Sequence, residues 1–123
     1  MTSIAPWLQV ADANEALDFY AAAFGAIVLE RLDDEAGNAV VALLGIDGAD
    51  FWVQLEEATG PDALGDPPVR LILTVGDPHS VVASALKAGA TQMSAVAEGN
   101  GWLVGRLVDP FGHQWEVGRR LPA

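Results

Sequence analysis

Apolar and polar residues alternate from Ile4 to Val10, with Ile4, Pro6, Leu8 and Val10 on one face and Ala5, Trp7 and Gln9 on the other. Period-two alternation marks a half-buried strand, and Pro6, which cannot donate to a sheet ladder, places it at an edge or starts it late. The period then changes. Ala16, Leu17, Phe19, Tyr20, Ala23 and Phe24 recur at helical spacing, behind the capping-box pair Asp12 and Glu15 and ahead of a terminating Gly25. Tyr20 falls among the core-facing residues, with its hydroxyl expected at the periphery. Three further strands fit Ala26 to Leu32, Asn38 to Leu44 and Asp50 to Glu56, separated by the turn-rich Asp33 to Gly37 and Asp47-Gly48.

From Thr59 to Pro68 the composition shifts to Gly, Pro and Asp, which reads as a linker. Beyond it the pattern restarts. Val69 to Val75 alternates, with Arg70, Ile72 and Thr74 on the face opposite Leu71 and Leu73. Asp77-Pro78 opens a helix striped by Val81, Val82, Ala85 and Leu86, and Gly89 ends it. Strands then fit Ala90 to Ala97, Trp102 to Val108 and His113 to Gly118, with Glu98 to Gly101 as a hairpin loop. Val10-Ala11-Asp12 matches Val75-Gly76-Asp77, and Phe24-Gly25-Ala26 matches Ala88-Gly89-Ala90, each about 65 residues on.

The chain therefore reads as one domain, 1–123, made of two βαβββ units, 1–58 and 69–120, joined by the linker 59–68. The expected fold class is α+β: curved mixed sheets around a cavity, with helices on the outer faces. A sheet with a helix on one face leaves its other face uncovered. In the first unit that face carries Ala5, Trp7, Gln9, Trp52 and Gln54; in the second it carries Arg70, Ile72, Thr74, Gln114 and Glu116. Trp102 approaches it from a neighbouring strand, whereas Trp115 falls on the core side.

The last strand follows Asp109-Pro110-Phe111-Gly112, a type I turn in which Pro presets φ and Asp bonds the backbone two residues on. His113 alternates away from Glu116 and lies beside that turn, which points to turn and packing duty. His79 sits in the first turn of the second helix, and neither is read as a general base.

Composition narrows the chemistry. With no Cys among 123 residues, thiolate nucleophiles, disulfides and thiolate metal ligands are all excluded, and two His cannot make a three-His site. A net charge of -11 with only six basic residues argues against nucleic acid and is compatible with a cationic ligand. No apolar run is long enough to span a bilayer and the start lacks a basic n-region, so a cytoplasmic protein with no membrane partner is expected.

The paired units, the run Asp12-x-x-x-Ala16-x-x-Phe19-Tyr20 with Phe24-Gly25 beyond it, and the closing Asp109-Pro110-Phe111-Gly112-His113-x-Trp115-Glu116 resemble the vicinal oxygen chelate superfamily. That superfamily includes glyoxalase I, extradiol dioxygenases and the bleomycin-resistance binding proteins. The resemblance implies metal ligands at four strand positions, which carried over by strand are Ala5, Gln54, Arg70 and Glu116. Only Glu116 is a conventional ligand. Two like charges about 4 Å apart repel by roughly 4 kcal/mol at intermediate dielectric, so Arg70 disfavours a cation there. The expectation is no metal and no cofactor.

What the resemblance then implies is a metal-independent protein of the bleomycin-resistance type, a homodimer that binds a small aromatic or apolar compound such as an antibiotic. Stacking would fall to Trp7, Trp52 and Trp102, and polar specificity to Gln9, Gln54, Arg70, Thr74, Gln114 and Glu116. An ion pair between Arg70 and Glu116 would replace the lost metal. The alternative is a lyase, isomerase, epimerase or dioxygenase of the same superfamily with a degenerate metal site, in which Glu116 is the candidate catalytic acid or base.

Overall fold

A computed structural model describes residues 2–57 and 69–122. The Gly- and Pro-rich stretch 59–68, read as a linker, lies outside the described residues. Each repeat forms one four-stranded mixed sheet and one helix, an α+β architecture. In the first unit β1 (Trp7–Val10), α1 (Ala13–Phe24), β2 (Ile27–Asp33), β3 (Ala39–Ile46) and β4 (Ala49–Leu55) give the sheet order β1-β4-β3-β2. In the second, β5 (Leu71–Thr74), α2 (Pro78–Ala88), β6 (Thr91–Gly99), β7 (Trp102–Val108) and β8 (Gln114–Arg120) give β5-β8-β7-β6. The topology is the same twice. β1 runs parallel to β4 and β5 parallel to β8, because a crossover helix intervenes; the remaining neighbours are antiparallel.

The first strand starts at Trp7 rather than Ile4, in keeping with Pro6, which has no N–H for a ladder. Both helices begin as their sequences require. Asp12 accepts from the Glu15 N–H at 3.0 Å, and Asp77 accepts from the Ser80 N–H at 3.2 Å. The hairpin between β6 and β7 is tighter than the four-residue loop expected. β6 runs through Gly99, leaving Asn100 and Gly101, both at positive φ (51° and 83°), as a two-residue turn.

The buried strand residues lie on the helix side, whereas β2 and β6 are exposed along nearly their whole length. Leu8, Val10, Leu44, Phe51 and Val53 pack on α1 in the first unit, and Leu73, Leu107, Trp115 and Val117 lie on the covered side of the second. The helices also pack on each other, so the two halves share a core. At its centre the Tyr20 ring lies within 6.2 Å of Phe24, Phe51, Phe111 and Trp115, drawn from both repeats.

Tyr20 corrects an expectation. Its hydroxyl is not peripheral: the residue is fully buried and donates to Asp109 Oδ2 at 2.6 Å. Trp115 Nε1 donates to the same oxygen at 2.9 Å, while Oδ1 accepts from the backbone N–H groups of Phe111 (2.9 Å) and His113 (3.0 Å). Asp109, 3% exposed, thus satisfies donors from its own turn, from β8 and from α1 of the other repeat. Burial, then the charge of Asp109, then this hydrogen bond hold the Tyr20 phenol well above its ordinary ionisation range.

Candidate functional site

The uncovered faces of the two sheets remain open, and the sheets do not close on each other. On the first, Trp7 and Trp52 are directly paired across β1 and β4 and their rings stack, with centroids 5.7 Å apart and planes 28° apart. Trp7 Nε1 donates to Gln54 Oε1 at 3.0 Å, which fixes the indole on the sheet surface although Trp7 is 52% exposed. Gln9 pairs with Gln54, and its carbonyl accepts from His113 Nε2 at 2.8 Å, so the ring proton must sit on that nitrogen. His113 therefore ties β1 to the turn before β8, the packing duty read from the sequence.

On the second sheet, Arg70 Nη1 lies 2.9 Å from Glu116 Oε1, the expected ion pair. Sequence reasoning missed its third member. Arg106 Nε approaches the same oxygen at 3.5 Å, and Arg106 Nη2 donates to Gln114 Oε1 at 3.4 Å. Arg106 stands directly opposite Glu116 in the β7–β8 register, so continuing the strand alternation through β7 would have found it. Trp102 pairs with Arg120 at the far end of the same face, the Arg120 Cζ 5.1 Å from the indole centroid. Thr74, opposite Gly118, lies at the other end of β5 from Arg70.

A cavity of about 820 Å³ opens between the entering edges of the two sheets. Trp52 and Arg70 line it together, with Ala5, Pro6 and Leu43 from the first unit and Ile72 from the second; Phe51 and Trp115 reach it from the core side. Asp50 stands on its wall as an acid. Its size and its apolar lining, with a few polar groups, suit a small organic molecule. Trp7, stacked on Trp52, and Glu116, paired with Arg70, each touch a lining residue but do not line it themselves, and Gln9, Gln54, Thr74, Trp102 and Gln114 are not among its lining residues either.

The register changes one correspondence. Sequence alone sets Gln54 beside Glu116 as equivalent last-strand positions. In the ladders Trp7 faces Trp52 as Ile72 faces Glu116, and Leu8 faces Val53 as Leu73 faces Val117. Trp52 is thus the counterpart of Glu116, and Gln54 that of Gly118. The four places implied for a metal become Ala5, Trp52, Arg70 and Glu116. They do not fit a divalent ion: Ala5 has no donor, an indole N–H has no lone pair to offer, and Arg70 and Arg106 already hold Glu116. Among the described residues no group of three or more His, Asp or Glu converges elsewhere. Nor is any described helix long and apolar enough to cross a membrane.

The fold and the open-faced cavity define a paired-βαβββ protein of the vicinal oxygen chelate type. A glyoxalase-like domain model matches residues 6–118. An uncharacterized protein of Mycobacterium bovis is 38% identical over 128 residues, covering 95% of this chain and 82% of that protein. The crystal structure of TioX from Micromonospora sp. ML1 superposes with a TM-score of 0.77 at 22% identity, covering 98% of this chain and 100% of that one. TnmS3, an antibiotic binding protein from Streptomyces sp. CB03234, superposes with a TM-score of 0.68 at 19% identity over 97% of each chain. The chain belongs to the glyoxalase-like domain family.

Proposed function

We propose that this is a metal-independent, cytoplasmic small-molecule binding protein of the bleomycin-resistance type, whose ligand is aromatic or apolar, an antibiotic being one such class. The observation that carries this reading is the Trp7–Trp52 stack, held on an open sheet face at the mouth of an 820 Å³ cavity. A large, rigid, exposed aromatic surface binds planar molecules at small conformational cost. The antibiotic-binding neighbour of the same fold supports the ligand class.

The binding unit is a homodimer in this reading, and the two open faces support it. The first carries apolar Ile27 and Leu32, each 62% exposed, with acidic Glu30 opposite Leu43 and Asp50 opposite Gly45. The second carries Arg70, Arg106 and Arg120. The exposed apolar pair of the first face is the area a second copy would cover, leaving the arginines to the cavity. The enzymatic alternative, proton transfer by Glu116, is less well supported, because the Glu116 oxygen nearest Arg70 is already shared by two guanidiniums.

A thermal-shift and tryptophan-emission screen with planar aromatic compounds tests the function. Ligands are expected to raise the midpoint and quench emission, and Trp52→Ala to weaken both effects. A library in which no compound moves either signal sinks the proposal. A stoichiometric divalent ion in protein purified without a metal-binding tag overturns its metal-free character, and sedimentation as a monomer overturns the dimer.

A further inference from the structure

The open face of the second sheet has a charge opposite to that of the protein. The whole chain carries -11, with six basic residues. Three of the six, Arg70, Arg106 and Arg120, lie on this one face or at its entry, where Glu116 is the acid paired with the first two. Arg106 stands opposite Glu116, Arg120 opposite Trp102, and Arg70 reaches Glu116 from just before β5.

Arg70 and Arg106 approach the same carboxylate oxygen, Oε1. Each guanidinium carries five N–H donors, far more than a single carboxylate can occupy, and the pair keeps one uncompensated positive charge. The group is accessible: the Arg70 and Arg106 side chains are 48% and 35% exposed, against 20% for Glu116. The Arg70 side chain is also in the lining of the cavity that Trp52 shares. Asp50, an acid on the same cavity's wall, comes from the start of β4.

We infer that the ligand is an amphiphilic anion, with an aromatic or apolar body for the Trp52 side of the cavity and a carboxylate, sulfonate or phosphate group for Arg70 and Arg106. This rests on the binding function proposed above and replaces the cationic ligand that net charge alone would suggest. Glu116 then acts as a positioning residue. It fixes two guanidiniums side by side so that their remaining donors converge on an incoming anion, the geometry in which Arg recognises oxyanions best.

Three naphthalene probes of equal ring size separate the possibilities by calorimetric titration: 2-naphthoate, 2-naphthamide and 2-naphthylmethylammonium. Wild-type protein is expected to bind the carboxylate about tenfold more tightly than the amide, since a charge-assisted hydrogen bond is stronger than a neutral one, and to bind the ammonium most weakly. Arg70→Met and Arg106→Met should each erase most of the roughly tenfold preference for the carboxylate over the amide, whatever they do to the affinity both probes share; circular dichroism checks their folding, and either variant suffices. Amide or ammonium binding as tight as the carboxylate overturns the anionic ligand but leaves the binding function standing. A carboxylate preference that survives in folded variants overturns the assignment to these arginines. If none of the three probes binds and tryptophan emission does not move, the proposed function falls for planar aromatic ligands, and this inference with it.

Discussion

The two repeats agree where they are covered and differ where they are open. On the helix side Leu8 and Leu73, Val53 and Val117, and the capping acids Asp12 and Asp77 occupy matching places in the two ladders and helices. On the open side Trp7 is matched by Ile72 and Trp52 by Glu116. A buried position is fixed by its neighbours' volumes, so both halves converge on the same few side chains. An open position is limited mainly by what it must contact, and there one half offers aromatic rings and the other guanidiniums. Function should therefore reside in the differences between the halves, and stability in their likeness.

Substitutions can test that division, beginning where the largest effect is expected. Asp109→Ala removes the acceptor of four donors, two side chains and two backbone N–H groups, three of them buried and the His113 N–H half-buried. Each orphaned donor costs about 1–3 kcal/mol in part relieved by water, so a loss on the order of 3–5 kcal/mol is expected in urea unfolding. A loss below about 1 kcal/mol would place the shared core elsewhere.

Gly118→Ala comes next. A Cβ there would lie 2.8 Å from the Leu103 carbonyl oxygen and 3.1 Å from Val104 Cβ, atoms that cannot yield without moving β7. A cost of about 1–3 kcal/mol is expected, while Gln54→Ala at the matching place in the first repeat should cost within about 0.5–1 kcal/mol. Equal effects at the two places would remove the contrast between the halves.

Tyr20→Phe deletes one donor to Asp109 and should cost about 1–2 kcal/mol. It also carries a pH signature. Below pH about 10 the phenol is protonated in both states and its contribution is complete; above it the unfolded chain ionises first, so wild-type stability falls as pH rises. Melting curves across that range should slope more steeply for wild type than for Tyr20→Phe.

The smallest effect is expected at the ion pair. Glu116→Gln should change stability by less than about 1 kcal/mol, because Arg70 is half exposed and such pairs are screened by solvent. A drop of several kcal/mol would move Glu116 from the open, functional side of the comparison to the structural side.

Most of the architecture was legible because the residues that make it signal locally. Alternation, the acids at Asp12 and Asp77, and the glycines at Gly25 and Gly89 mark strands and helices within a few residues of themselves. What could not be read depends on partners distant in the chain. The Tyr20 hydroxyl looked peripheral because its acceptor is 89 residues away. Gln54 looked equivalent to Glu116 because spacing along one strand does not fix its register against another. The cavity likewise depends on how the edges of two separate sheets meet, which no single segment encodes.

Asp109 has a consequence for how the molecule comes apart. Its carboxylate joins a tyrosine from the first half to a tryptophan and a turn from the second, inside an aromatic cluster drawn from both. Opening either half alone would strand a buried negative charge, so a state with one repeat folded and the other molten is strongly disfavoured. Despite its duplicated plan, the protein should denature in a single all-or-none transition, with tryptophan emission and circular dichroism tracing the same curve.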